Sequence, residues 1–250
     1  MKYYDRYKNG EDGRSVYADI YHLGQEAFSD RYFDDVHNVL TETFNRVAFN
    51  LDIIYSELKN INYAFKSEFR FNFQRPLLSP LPDTDKLLIK LDEAIKDFGQ
   101  IPYSLKLFYK IVGSCNFGWD YETTPEMFWE YADPIQINSL DDVVSEVSSE
   151  DWKGYLNEVL EEDASQSPYI NLAADYFHKD NVSGGPPYSI QITIEKCIDS
   201  LFLNEPHETT FINYLRICME NCGFSRITEL ENDNDYDDFF EKVKPQLKKI

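Results

Sequence analysis

The sequence is short of positive charge. Its 250 residues hold 24 lysines and arginines against 45 aspartates and glutamates, so the net charge is −21 with histidine neutral. A protein that binds bare nucleic acid needs a basic surface, because it must displace the counterions of the phosphates. An anionic membrane surface likewise attracts basic segments. We therefore expect no nucleic acid and no membrane among the partners of this chain.

Cysteines and long apolar runs are scarce as well. The four cysteines are too few for a disulfide scaffold in a chain of this length. No apolar run approaches the ~20 residues of a membrane helix, and the polar segment 1–8 lacks the apolar core of a signal peptide. These shortages predict a cytoplasmic protein. The 42% of apolar residues predict a chain that folds around a core of its own.

The sequence also lacks the motifs of common active sites. It has no G-x-S-x-G nucleophile elbow, and no G-x-G-x-x-G or G-x-x-x-x-G-K-[ST] loop that could hold a nucleotide phosphate. His207-Glu208 would begin a zinc-protease motif, but Phe211 stands where the second histidine is required. The sequence therefore predicts no catalytic residue and no cofactor.

Two groups of metal-binding residue types have simpler interpretations. His178 lies between Asp175 and Asp180, which favours a turn histidine hydrogen-bonded to a carboxylate. Cys218 and Cys222 are four residues apart, which is not the C-x-x-C spacing of redox or zinc sites. Both cysteines fall on an apolar helical stripe, so we expect buried thiols that act as small hydrophobic side chains and bind no metal.

A long amphipathic helix is the clearest helical pattern. Apolar residues from Phe33 to Leu58 recur at alternating steps of three and four, which places them on one face, and Asp30 is the expected N-cap. The first ~30 residues show no clear period and are predicted to form an irregular or peripheral arm. Further helices are predicted after Asp83 or Asp85, after Ser104, from about Thr210 to Gly223, and from about Asp235 to the end of the sequence. Pro245 should kink or shorten the last of them.

Alternation of apolar and polar residues predicts strands. The cleanest example runs from Tyr188 to Ile194, and we expect it to be an inner strand of the main sheet. One buried face of this strand would carry Tyr188, Ile190, Ile192 and Ile194. Shorter strands are predicted at 69–73, 135–137 and 201–203.

The segment 120–163 has a composition of its own. It contains 14 acidic residues and one basic residue, Lys153, and so carries over half of the net charge. Trp129, Trp152 and the predicted strand at 135–137 indicate that this acidic block is folded. One interpretation is a solvated face that aids solubility. The other is an electrostatic landing surface for a basic protein.

The landing-surface interpretation names five candidate partner-binding residues. Asp120, Glu122, Glu126 and Asp133 would supply charges, and Trp129 would be the aromatic anchor that interface centres favour. A place for Trp129 in the hydrophobic core is equally consistent with the sequence.

Four stretches, taken in order, resemble the SUKH superfamily, the domain of many bacterial immunity proteins that also occurs in a yeast cell-wall-synthesis regulator. The first begins with Ile101-Pro102, continues as a helix with Phe108-Tyr109 and ends in Gly113. The others are Asp133–Ile137, Ser183–Ile190 and Thr209–Arg216. Their order and spacing carry the resemblance, which covers roughly residues 84–224.

The resemblance implies an α+β fold: a mixed, mostly antiparallel sheet with packed helices, here preceded by the long amphipathic helix. We expect residues 1–82 to pack on a SUKH-like domain of residues 83–250. The resemblance also implies a non-enzymatic, cytoplasmic protein that binds and neutralises a toxin. A basic nuclease would be a physically sensible partner for an acidic inhibitor. An adaptor or regulator without a toxin, and an enzyme without a recognisable motif, are the alternatives.

Overall fold

The computed structural model describes residues 2–66, 75–121, 129–163, 165–182, 184–226 and 233–250. The α-helices are α1 (Tyr3–Lys8), α2 (Gly13–His22), α3 (Phe33–Asn60), α4 (Thr84–Ile95), α5 (Tyr103–Ile111), α6 (Leu140–Val147), α7 (Glu150–Glu162), α8 (Tyr176–Lys179), α9 (Phe211–Glu220) and α10 (Asn234–Val243). The strands are β1 (Leu77–Leu78), β2 (Ser114–Asn116), β3 (Gln136–Ile137), β4 (Tyr169–Ala173), β5 (Tyr188–Gln191) and β6 (Phe202–Leu203). Short 3₁₀ helices occupy Gly24–Phe28 and Lys244–Gln246.

Helix α3 lies at the centre of the core. Its buried residues recur every three or four positions from Val36 to Leu58, as its apolar period predicts. The helix contacts α1, α5, α9 and α10, so the first part of the chain shares one core with the rest. The predicted long helix is confirmed, although Tyr32 and not Asp30 stands at its N-cap position.

The prediction of an irregular N-terminal arm is wrong. Residues 3–22 form α1 and α2, and their buried face is built largely from tyrosines. The hydroxyls of Tyr7 and Tyr17 lie 3.0 and 2.8 Å from Oγ1 of Thr43 on α3. Asp35 of α3 accepts a hydrogen bond from the backbone N–H of Tyr3 at 2.7 Å. Buried tyrosine hydroxyls usually find a hydrogen-bond partner, and for Tyr7 and Tyr17 that partner lies on a distant helix.

The strands form two antiparallel three-stranded sheets, with the orders β1-β2-β3 and β4-β5-β6. In the second sheet, Ile190 of β5 pairs with Ile170 of β4 on one side and Phe202 of β6 on the other. This confirms the prediction of an inner strand that begins at Tyr188. The predicted strands at 135–137 and 201–203 are present as β3 and β6, whereas the one at 69–73 lies outside the described residues.

The strand prediction extended too far at its C-terminal end. Strand β5 ends at Gln191, and although Ile192 is buried, Ile194 is 86% exposed. Beyond β5 the backbone of Thr193 pairs with that of Gln100 through hydrogen bonds of 2.8 and 3.0 Å. The chain therefore leaves the sheet, and Ile194 points into solvent.

The acidic block is folded, as predicted, and contributes α6 and α7. The hydroxyl oxygen of Ser149 caps α7 by accepting a hydrogen bond of 3.1 Å from the backbone N–H of Trp152. Trp152 and Leu156 are buried, and the ring of Trp152 packs edge-on against Phe98 at a centroid distance of 5.5 Å. Together with the confirmed helices α4, α5, α9 and α10, these elements give an α+β fold in which every strand pairing of the described residues is antiparallel.

Candidate partner-binding groove

Trp129 lies in the hydrophobic core. It is 3% exposed. Its ring packs against Phe224, Tyr236 and Phe239 at centroid distances of 5.1 to 5.3 Å, two of them edge-on, and Tyr63 lies at 6.0 Å. Such aromatic contacts add to the stability gained from apolar burial. The structure therefore favours the core interpretation of Trp129 over a role as an exposed anchor.

Asp133 is completely buried, and its charge is neutralised inside the protein. The ammonium Nζ of Lys179 lies 2.5 Å from Oδ1, and the hydroxyl of Tyr188 donates to Oδ2 at 3.0 Å. The hydroxyl of Ser225 also donates to Oδ2. The backbone of Asp133 has a φ of 54°, in the left-handed region that aspartate and asparagine adopt more readily than most residues.

The expectation of exposed charges at Asp120 and Asp133 is therefore corrected. Asp120, like Asp133, is buried, and its backbone N–H donates to the carbonyl of Ala64 at 2.9 Å. Glu122 and Glu126 lie outside the described residues. A partner-binding role for any of these positions stays a prediction, but the exposed charges that the structure describes in the acidic block lie mainly on α7.

Asp180 is a buried carboxyl close to Asp133. It accepts the backbone N–H of Tyr131 at 2.8 Å and the hydroxyl of Tyr121 at 3.3 Å. Burial raises the pKa of Asp180 to about 6, and the negative charges of Asp133 and Glu130 act in the same direction. This side chain therefore titrates just below neutral pH.

The simple interpretations of the histidine and the cysteine pair agree with the structure. His178 Nδ1 lies within hydrogen-bond distance of Oδ2 of Asp175, which also caps α8. Cys218 and Cys222 are buried free thiols, as predicted, and burial raises the pKa of Cys222 to about 12. Within the described ranges, no group of three or more histidines, cysteines and carboxylates is arranged to hold a metal ion.

A groove of about 760 Å³ lies between α7 and the second sheet. Helix α7 lines one side with Tyr155, Val159 and Glu162, which are spaced by four and three residues and so share one helical face. Strands β4, β5 and β6 contribute Tyr169, Gln191, Phe202 and Leu203. Two of the groove's lining residues are large, apolar or aromatic and open to solvent: Tyr155 is 58% exposed and Leu201 44%.

The acidic groove carries only negative ionisable charge among its described lining residues. Glu162, Asp163 and Glu208 line it, whereas no lysine or arginine does. The hydroxyl and the backbone N–H of Ser165 donate to Asp163, at 2.6 and 2.9 Å, and lower the pKa of that carboxyl, so it is ionised at neutral pH. Burial raises the pKa of Tyr169 to about 12, and the neighbouring phenol of Tyr155 acts in the same direction. The hydroxyl of Tyr169 therefore stays neutral.

The loop between β6 and α9 holds Glu208 at the edge of the groove. Buried Glu205 accepts the backbone N–H groups of His207 and Thr209 at 2.8 and 2.6 Å. Nε2 of His207 lies 2.7 Å from the carbonyl oxygen of Ser225, the residue whose hydroxyl donates to Asp133. The buried Asp133 network is thus connected to the groove's rim and supports it from inside the protein.

This groove is not among the features that the sequence predicts. The sequence contains one local signal: Tyr155, Val159 and Glu162 recur at steps of four and three, which places an aromatic, an apolar and an acidic residue on one helical face. The sequence gives no local signal for the position of the β6–α9 loop beside the groove, because that position depends on contacts between residues far apart in the chain.

Comparison of the chain with protein-family models, with curated proteins and with solved structures gives no significant match. None of the helices in the described ranges combines the length and the apolar character that crossing a bilayer requires.

Proposed function

We propose that the protein is a non-enzymatic protein-binding module that receives a basic partner in the acidic groove, in the manner of the SUKH-like immunity proteins its motifs resemble. The groove itself carries this proposal. It combines three carboxylates, no lining lysine or arginine among the described residues, and the exposed side chains of Tyr155 and Leu201. Protein interfaces combine an aromatic or apolar centre with a polar rim in the same way.

The charge of the whole chain supports a basic partner. A net charge of −21 attracts a cationic protein over long distances and raises its rate of association. Toxin nucleases fit this requirement because they carry basic surfaces to bind phosphates. A basic toxin domain is therefore the partner class that we propose, and a non-toxic basic partner would instead indicate an adaptor.

The first experiment identifies the partner and its contact surface together. The wild-type protein and a Tyr155→Ala variant are used as parallel baits in lysate of the native host. A basic protein that the wild type retains and the variant loses would support the groove. Adding the purified protein to the activity assay of that partner then separates the two roles, because an immunity protein inhibits its toxin whereas an adaptor does not.

The second experiment measures binding kinetics with matched charge variants. The groove triple variant is Glu162→Gln/Asp163→Asn/Glu208→Gln. The control triple variant, Asp52→Asn/Asp97→Asn/Glu241→Gln, removes the same charge from exposed positions outside the groove.

At low salt, we expect the groove triple variant to slow association by about tenfold, with little change in dissociation. The control triple variant should slow association much less. Tyr155→Ala should speed dissociation by about tenfold if its ring is an anchor. Equal association rates for the two triple variants would show that the partner binds elsewhere.

A further inference from the structure

A second cavity has the opposite charge from the acidic groove and shares no lining residue with it. Its volume is about 460 Å³, within the range of small-molecule sites. The cavity is bounded by the end of α9 and by the segment that follows α10. Its lining residues are Arg216, Met219, Glu220, Lys244, Leu247, Lys248, Lys249 and Ile250. Four of these eight side chains are cationic, although acids outnumber bases by 45 to 24 in the chain.

Arg216 is the unusual member of this set, because it is only 2% exposed. Its Nε donates to the main-chain oxygen of Ile250 at 3.0 Å, and its Nη1 donates to the side-chain oxygen of Asn213. Its Nη2 is buried and has no hydrogen-bond partner within the described part of the chain. A guanidinium group remains charged at all ordinary pH values, and buried donors of this kind are nearly always satisfied. The vacant donor therefore points to a missing acceptor.

The wall that carries the lysines is held in place by α3. The side chain of buried Asn50 donates to the carbonyl oxygen of Lys248 and accepts its backbone N–H, both at 2.8 Å. Nη1 of Arg46 donates to the carbonyl oxygen of Lys249 at 2.9 Å. The segment beside Arg216 is thus fixed before any ligand arrives, which lowers the entropic cost of binding.

We infer that this cavity binds a small amphiphilic anion, a phosphate or carboxylate group attached to a short apolar part. The charged group accepts from Nη2 of Arg216 and is attracted by Lys248, since a guanidinium fork matches both kinds of oxyanion. Lys249 adds a charge that is already paired with Asp12 at 2.9 Å, and Glu220, the acidic residue of the lining, is paired with Arg14 at 2.9 Å. Met219 and Leu247 provide apolar contacts for the remainder of the ligand. This site goes beyond the proposed protein-binding function, because a basic partner is repelled here.

Isothermal titration calorimetry with three probes tests the site. The probes are monobutyl phosphate, butyrate and butanol, which share one apolar part and differ in the head group. We expect wild-type protein to bind one of the two anions in the millimolar range or tighter, and to bind butanol detectably less. The anion that binds with the higher affinity identifies the head group that the site prefers. Binding of butanol with the same affinity, or of neither anion, would overturn the inference.

Charge variants separate a local site from general attraction. Lys248→Gln/Lys249→Gln changes two exposed residues of the wall, and Lys86→Gln/Lys90→Gln removes two exposed lysines from α4. The first pair should weaken binding of the anion by about fivefold and the second should leave it unchanged, because exposed charges act over a short range in salt. Equal losses for both pairs would overturn the proposed site.

Arg216→Lys tests the buried donor directly. It retains the positive charge but loses the planar fork, so we expect anion binding to weaken by about tenfold. Circular dichroism establishes whether this variant folds. If it folds and binds like the wild type, the role of Arg216 is refuted, and if it does not fold, the two lysine pairs decide the result.

Discussion

Asp133→Asn should destabilise the protein strongly, because it leaves the ammonium group of Lys179 buried without its counter-charge. Both side chains are essentially inaccessible to solvent, and Nζ lies 2.5 Å from Oδ1. Removing one partner of such a pair costs about 3–5 kcal/mol. Domains are typically stable by only about 5–15 kcal/mol, so this loss is a large fraction of the total. Asparagine is the suitable replacement because it tolerates the positive φ at this position.

A double-mutant cycle isolates the ion pair from other effects of the substitutions. Lys179→Met alone leaves the carboxylate of Asp133 buried and should also cost about 3–5 kcal/mol. The double variant buries no unpaired charge, so we expect it to be about as stable as either single variant. The coupling energy would then equal one single loss, about 3–5 kcal/mol. The remaining donors to Asp133, the hydroxyls of Tyr188 and Ser225, are present in every member of the cycle.

Urea unfolding followed by tryptophan fluorescence measures these free energies. Glu93→Gln is the matched control, because its ion pair with Lys96 lies on the exposed surface and should contribute little to stability. A loss for Asp133→Asn as small as that of the control would refute the reasoning. So would a double variant whose loss equals the sum of the two single losses, since the pair would then be energetically uncoupled.

Three further predictions concern burial and pH. Ile192→Ala should lower the free energy of unfolding by about 2–5 kcal/mol in chemical denaturation, because this side chain is buried. Ile194→Ala, at an exposed position two residues away, should change it by less than about 0.5 kcal/mol. Similar losses for the two variants would contradict the described end of β5. Trp129→Ala should cost about 3–5 kcal/mol and lower the melting temperature in a thermal scan, and a variant that melts like the wild type would show that the ring is not part of the core. The pKa of Asp180 is about 6 when folded and about 3.9 when unfolded, so this carboxyl favours folding most below pH 4 and loses that contribution as the pH rises through 6. Relative to wild type, Asp180→Asn should therefore gain about 1–2 kcal/mol between pH 4 and pH 7.5 after allowance for screening, and parallel stability curves for the two proteins would refute the shifted pKa.

The elements that the sequence predicts correctly are those whose signal is local. The three-and-four spacing along α3 and the strict alternation from Tyr188 to Ile192 require only that neighbouring residues share a face. Gly223 has a φ of 102° at the end of the segment that contains α9, which is the backbone conformation that glycine permits. The composition of the acidic block likewise shows, without any structure, that the net charge is concentrated in one segment.

Tertiary contacts decided which of those charges face solvent. Asp133 and Glu162 belong to the same acidic block, yet one is buried against Lys179 and the other lines the open groove. The pairing partner of Asp133 lies 46 residues away, and no local pattern encodes its approach. The same holds for the N-terminal tyrosines, whose hydroxyls are satisfied by Thr43 on another helix. A residue's type fixes the cost of burying its polar group, but only the folded chain supplies the partner that offsets this cost.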